Sequence, residues 1–197
     1  LAGAAHLAGL ASLEVSLQDE LDRCLPVLAR GPFGKVERLE LCGDGPSKKG
    51  AAALASFAAL THFDLSGTTL FAAGLKALLA SPAAARLASL SLPDTVSAPV
   101  MVKALAGTPS LSALRRLDWH AFEDSCKLGG KGLEALAGAA SLSGLAAMTL
   151  FSHDIGHEAW RLFASPPWAG LHTLGLACNP IDDTAAKAIA DSADLPR

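Results

Sequence analysis

The residues best suited to chemistry lie in the segment HDIGH, which contains His153, Asp154 and His157. Two imidazoles and a carboxylate are side chains that bind a transition metal. Two ligands four residues apart meet only on a continuous helix, however. His153 is predicted to lie in a turn, and Gly156 precedes the helix that follows. The pattern therefore favours a helix entry at Asp154 or Gly156, and we expect no metal site.

A cysteine nucleophile and a phosphate loop are the other chemistries that the sequence suggests. Cys42 and His62 are predicted on neighbouring strands, within reach of each other, as a thiol and its general base would be. Nothing in the sequence supplies an oxyanion hole or a cleft beside them. Gly43-Asp44-Gly45 lacks the following Gly-Lys-Ser/Thr of a phosphate-binding loop. We therefore expect no catalytic residue and no cofactor, and predict that the chain is not an enzyme.

The composition is that of a chain with a core of small and aliphatic side chains. Its 197 residues include 40 alanines and 35 leucines. The net charge of −3 and the pI near 6.1 give no electrostatic reason to expect nucleic acid. No apolar run approaches the roughly 18 to 20 residues of a membrane span. The partners that we predict therefore exclude nucleic acid and membranes.

Four cysteines, Cys24, Cys42, Cys126 and Cys178, lie far apart without a C-x-x-C pair. This spacing favours free thiols over a disulfide framework or a zinc knuckle. The start of the chain also lacks the basic region of a signal peptide. Together these features predict a reducing, cytoplasmic setting.

A repeated pattern positions all of these residues. The segment Gly170–Ile181 has leucines at three spaced positions, here named the first, second and third anchors, and then Asn179, which gives L-x-x-L-x-L-x-x-N-x-I. This spacing recurs in seven copies, 24 to 31 residues apart. Their first anchors are Leu10, Val36, Leu60, Leu87, Leu114, Leu145 and Leu171. Seven copies in phase predict a single repeat domain over residues 1–197.

Each copy predicts a short strand at its anchors, followed by a helix. In the strand the second and third anchors enter the core together, because alternate side chains point to opposite faces. Prolines such as Pro82 and Pro109 come just past the helices, where proline stops a helix at little cost. The predicted helices are Gln18–Leu28, Lys48–Phe57, Ala72–Ala80, Pro99–Ala106, Gly130–Ala137, His157–Ala164 and Asp183–Ala190.

This pattern resembles that of leucine-rich repeat proteins, and repeats of about 27 residues with helices are similar to the ribonuclease-inhibitor-like class and its bacterial relatives. The resemblance covers essentially the whole chain. It implies an α/β right-handed solenoid, or horseshoe, of about seven repeats, with parallel strands on the concave face and helices on the convex face. Leu1 aligns with Leu136 and no polar cap is visible at either end. We therefore expect a fragment of a longer array.

The asparagine position is the weakest part of the resemblance. In the family this side chain bonds backbone groups of the turn, and here Asn179 alone matches. The other copies carry Gln18, Asp44, Thr68, Thr95, Phe122 and His153. Threonine, aspartate and glutamine can partly replace asparagine, whereas Phe122 cannot. The turn of the fifth repeat, which is also the longest repeat, is therefore expected to differ.

The side chains between the anchors are predicted to line the exposed face of the sheet. The candidates for partner binding there are Glu14, Arg38, Glu40, His62, Asp64, Arg116, Asp118, His120 and Phe151. Like charges on neighbouring strands are unfavourable, so the carboxylates of the first three repeats indicate a basic protein or peptide. The alternative is that they are ordinary solvated side chains, offset by Arg38 and Arg116.

The segment His120–Gly130, HAFEDSCKLGG, lengthens the fifth repeat. Phe122 and Cys126 are unusual for an exposed loop, and we expect them to fold inward, with a binding role as the alternative. The resemblance implies a protein-interaction scaffold that binds a protein or peptide on the concave face. The alternative is a spacer or recognition arm of a larger enzyme or regulator whose catalytic domain lies outside this sequence.

Overall fold

A computed structural model describes residues 5–17, 20–156, 162 and 167–190. Within them, seven strands form one sheet in which every neighbouring pair is parallel and the strands follow chain order. The strands are β1 (Ser12–Leu17), β2 (Arg38–Gly43), β3 (His62–Thr68), β4 (Ser89–Leu92), β5 (Arg116–His120), β6 (Ala147–Phe151) and β7 (Thr173–Gly175). The α/β leucine-rich repeat solenoid predicted from the sequence is confirmed.

The described helices follow the strands as the repeat pattern predicts. They are α1 (Leu21–Leu28), α2 (Lys48–Ala53), α3 (Ala72–Leu79), α4 (Ala98–Ala106), α5 (Gly129–Ala137) and α6 (Asp183–Ala190). The predicted helix at His157–Ala164 lies outside the described residues, apart from Leu162. Short 3-10 segments, such as Pro109–Ala113, lead from several helices into the next strand. None of the described helices combines the length and the apolar character needed to span a membrane.

The core is a continuous layer between the sheet and the helices, and the anchors fill it. In the fourth repeat, Leu87, Leu90 and Leu92 are at most 1% exposed. The third anchor of the fifth repeat is Trp119, a larger side chain that is also fully buried. Burying a leucine side chain stabilises a fold by about 1.5 to 3 kcal/mol. Repetition of these contacts fixes which side chains of each strand face outward.

The repeat pattern predicts three rows of outward side chains: the residues before the second anchor, those between the second and third anchors, and those after the third, where Cys42 and Ser66 would be neighbours. The strand register confirms the first two rows. Glu14 pairs with Glu40, and Glu40 with Asp64. The third row is wrong at β3, because the register shifts after Glu40 and pairs Cys42 with Gly67 instead of Ser66. A Cβ atom added at Gly67 would lie 2.7 Å from Cys42 Sγ, so a larger residue at this irregularity would require the Cys42 side chain to move.

The turn after a strand uses a left-handed residue just before the asparagine position in three repeats. These residues are Gly43, Ser152 and Cys178, with φ angles of 116°, 61° and 60°. Left-handed backbone is costly for serine and cysteine, so it persists only where surrounding contacts hold it. In the sixth and seventh repeats those contacts come from the next residue, which is His153 or Asn179.

Candidate functional site

Three carboxylates stand side by side on the exposed sheet face. Glu14, Glu40 and Asp64 occupy matching positions of β1, β2 and β3 and are here named the acidic ladder. Neighbouring strands lie about 4.8 Å apart. Within the described residues, none of the three carboxylates takes part in an ion pair. The row predicted from the sequence is therefore present as a negative strip that forms no ion pair with the described residues.

The electrostatics of the ladder centre on Glu40. Partial burial raises the pKa of Glu40, and the charges of Asp64 and Glu14 raise this pKa further. Asp64 is held in place by Ser66, whose backbone N–H and hydroxyl donate to Asp64 Oδ1 at 2.9 and 2.7 Å. Repulsion within the ladder thus acts on Glu40, while Ser66 fixes the orientation of the neighbouring Asp64.

A positive side chain and a histidine flank the ladder one row away, where Arg38 pairs with His62 across β2 and β3. Burial lowers the pKa of His62, and the nearby Arg38 charge lowers it further. Thr61 Oγ1 lies 2.9 Å from His62 Nδ1. Arg38 forms no ion pair with any described residue. It therefore offsets the charge of the ladder only at long range.

The fifth repeat contains an ion pair on this face. Arg116 Nε donates to Asp118 Oδ2 at 2.7 Å on β5, and the Arg116 side chain remains 50% exposed. The pair bounds a depression of about 330 Å³, here named the central depression, whose lining also includes Asp64, Ser91 and His120. The central depression connects the acidic ladder with the far end of the sheet, and its lining holds the Asp64 carboxylate in addition to the paired Arg116 and Asp118.

Aromatic side chains occupy the far end. His120 pairs with Phe151 across β5 and β6, with ring centroids 5.4 Å apart. Phe122 contacts both rings, at 6.3 Å from His120 and 5.8 Å from Phe151. These three residues are here named the aromatic patch. The sequence candidates include His120 and Phe151 but not Phe122, for which a binding role is the alternative and which is 67% exposed.

Two side chains of the insertion His120–Gly130 point in opposite directions. Cys126 points inward as predicted: it is 1% exposed, and its thiol donates to the backbone oxygen of Asp94 in the preceding repeat. Phe122 points outward, so the prediction that it also packs below the strand edge is wrong. The phenyl ring cannot form the backbone bonds of the asparagine position, and Cys126 supplies a bond to the preceding repeat instead.

The HDIGH segment supports the turn of the sixth repeat. His153 is fully buried, with Nε2 3.0 Å from the oxygen of Trp119 and Nδ1 accepting from the N–H of Leu128 at 3.3 Å. Burial lowers the pKa of His153 to about 4, so the ring is neutral at pH 7. Both nitrogens are thus engaged with backbone. No group of three or more potential ligands gathers within the described residues, and His157 lies outside them.

Cys42 and His62 do not form the pair that the sequence suggested. His62 is level with Arg38, four residues before Cys42 on the neighbouring strand, which is about 13 Å along the strand. Burial raises the pKa of the Cys42 thiol, and the charges of Glu40, Glu14 and Asp64 raise it further. A protonated thiol without a nearby base is a poor nucleophile.

A larger depression, of about 870 Å³, opens between α3 and α4 on the helix side. Its walls are mostly apolar and include Ala72, Leu79 and Val100, with Lys76 and Lys103 also in the lining. Small side chains on two facing helices account for its size. It lies on the face opposite the acidic ladder and contains none of the partner-binding candidates from the sequence.

Comparisons with known proteins add a remote structural likeness. The sequence matches no protein family model and no curated protein. An internalin from Listeria monocytogenes is similar in structure, with a TM-score of 0.42 and 15% sequence identity. The aligned region covers 98% of this chain and 61% of the internalin, so the chain spans about three-fifths of that protein.

Proposed function

We propose that the chain is a protein-interaction scaffold whose exposed sheet face binds a basic segment of another protein. The observation that carries the proposal is the acidic ladder, whose three carboxylates stand side by side with no described ion-pair partner. Burial raises the pKa of Glu40 in the middle of the ladder, and repulsion from Asp64 and Glu14 raises this pKa further. Cationic side chains bound there would relieve the repulsion between the carboxylates, because each cation would attract the carboxylates that repel one another in the free protein.

The test is a selection of peptides from a random library on the folded protein. Peptides of about nine residues are long enough, since that length of extended chain crosses seven strands. We expect lysine and arginine to be enriched among the peptides bound. Replacing Glu14 and Glu40 by glutamine and Asp64 by asparagine should abolish the enrichment and weaken binding about tenfold.

A matched control removes the same charge from the helix side. Glu20 and Glu134 are replaced by glutamine and Asp183 by asparagine, all three being exposed residues within or beside helices. This variant should select the same basic peptides as the unmodified protein. Equal loss of enrichment in both variants would show that the peptides respond to the net charge of the protein and not to the ladder, which would overturn the proposal. The proposal would also be overturned if none of the proteins enriched basic peptides.

A further inference from the structure

The aromatic patch is an exposed apolar surface within a sheet face that is otherwise polar or small. Phe122 is 67% exposed and lies against His120 and Phe151, which are partly buried beneath it. Scattered exposed apolar residues need no explanation. Three rings in mutual contact form a cluster, however, and aromatic clusters of this kind are enriched where proteins bind each other.

The insertion explains how Phe122 comes to be exposed. Its position in the repeat is the one that Asn179 uses to bond the preceding repeat. In the fifth repeat Cys126 bonds the preceding repeat from four residues further on. The added residues thus move this structural role to Cys126 and release position 122 from the turn. The ring is then free to join His120 and Phe151 at the end of the strands.

The acidic ladder and the aromatic patch lie along one path. The central depression includes Asp64 at one side and His120 at the other, and the balanced Arg116–Asp118 pair lies between them. From Glu40 on β2 to the patch at β5 and β6 is three to four strand spacings, or about 17 Å. With the offset along the strands, an extended chain needs about five or six residues to cover that path.

We propose that the partner is one extended segment that carries lysine or arginine at one end and an aromatic or large aliphatic side chain about five or six residues away. The basic end lies over the acidic ladder, and the apolar side chain packs against Phe122 and Phe151. This inference rests on the proposed function and adds the pattern by which the partner is recognised. Between the two ends, the Arg116–Asp118 pair is already balanced and sets no charge requirement of its own.

Synthetic peptides test this pattern directly. Each carries a pair of lysines and one phenylalanine, separated by a glycine-serine spacer of the stated length, of half that length or of twice that length, in both chain directions. Binding is measured by fluorescence anisotropy at low salt. In one of the two chain directions, the peptide with the stated spacing should bind about tenfold more tightly than the peptides with other spacings. It should also bind about tenfold more tightly than a peptide without phenylalanine, since a buried aromatic side chain contributes at least that much.

The matched variants are Phe122→Ser and Phe71→Ser. Phe71 is 71% exposed at the start of α3 and lies outside the patch, so it controls for loss of an exposed ring. Phe122→Ser should remove the advantage of the stated spacing and leave the affinity of the lysine-only peptide unchanged. Phe71→Ser should leave both unchanged. Urea unfolding of each variant confirms that it remains folded.

The outcomes separate the two proposals. If the affinity of lysine peptides depends on the ladder but not on the spacing or on Phe122, the recognition pattern is overturned and the proposed function stands. If the affinity depends on Phe122 but not on Glu14, Glu40 and Asp64, the proposal of a basic partner is overturned instead. If no lysine peptide binds, both fall.

Discussion

The turns after β6 and β7 use different side chains for the same purpose, whereas the turn after β5 places its bond elsewhere. In the seventh repeat, Asn179 Nδ2 donates to the oxygen of Leu150 at 2.7 Å. In the sixth, His153 Nε2 lies 3.0 Å from the oxygen of Trp119. Leu150 and Trp119 are the third anchors of the preceding repeats. In these two repeats the position thus carries a donor aimed at that carbonyl, which can be an imidazole as well as an amide.

The fifth repeat shows what happens when that donor is missing. Phe122 has no polar atom to offer, and Cys126 bonds to Asp94 instead. The cost is a longer turn, and the result is an exposed ring beside the sheet face. A solenoid can thus release one residue from its turn without losing the link between neighbouring repeats.

The largest effect is expected at Asn179. Its Oδ1 accepts from the N–H groups of His153 and Ile155, and its Nδ2 donates to the oxygens of Leu150 and Leu176. Asn179→Ala leaves these four backbone groups without partners. We expect the free energy of unfolding to fall by about 3 kcal/mol in urea titrations, at close to 1 kcal/mol for each well-formed bond. A loss below about 1 kcal/mol would mean that water satisfies the turn equally well.

The next effect is a dependence on pH that separates His153 from Asn179. The folded pKa of His153 is about 4, below the value of about 6.5 in an unfolded chain. The unfolded state therefore binds a proton between these values and the folded state does not, so stability falls with acidification. From pH 7 to pH 5 this group should cost roughly 2 kcal/mol.

The His153→Asn variant provides the comparison, because it places the amide of the seventh repeat in the sixth. The difference in unfolding free energy between variant and unmodified protein, measured by urea titration at each pH, should shift in favour of the variant by roughly 2 kcal/mol between pH 7 and pH 5. Other titrating groups are common to both proteins and cancel in that difference. A difference that does not change with pH would contradict a buried, neutral His153.

The smallest effects are expected in the fifth repeat, and their order matters. Cys126→Ala removes a buried thiol and its bond to Asp94, which should cost about 1 kcal/mol. Phe122→Ser removes an exposed ring and should change the free energy of unfolding by less than about 0.5 kcal/mol. Thermal and urea unfolding of both variants check the order. The reverse order would place the structural role of the turn at Phe122.

Sequence reasoning found the fold because the anchors repeat in phase and bury one face of every strand. The same regularity placed Glu14, Glu40 and Asp64 side by side correctly. It failed at Ser66, because an alternating pattern contains no sign of the shift that pairs Cys42 with Gly67. It also failed at Phe122, whose direction depends on where Cys126 finds a carbonyl in the preceding repeat. Local irregularities of the backbone decide both cases, and side-chain types alone do not encode them.

The order of the strands has a consequence for how binding energy accumulates. Because the sheet runs from β1 to β7 in chain order, β4 separates the acidic ladder from the residues of the aromatic patch. Substitutions at sites without shared neighbours usually have additive effects. Two weak attachments on a common rigid frame also reinforce each other, since the first raises the local concentration of the second. Avidity along a single peptide would then supply affinity that neither end achieves alone.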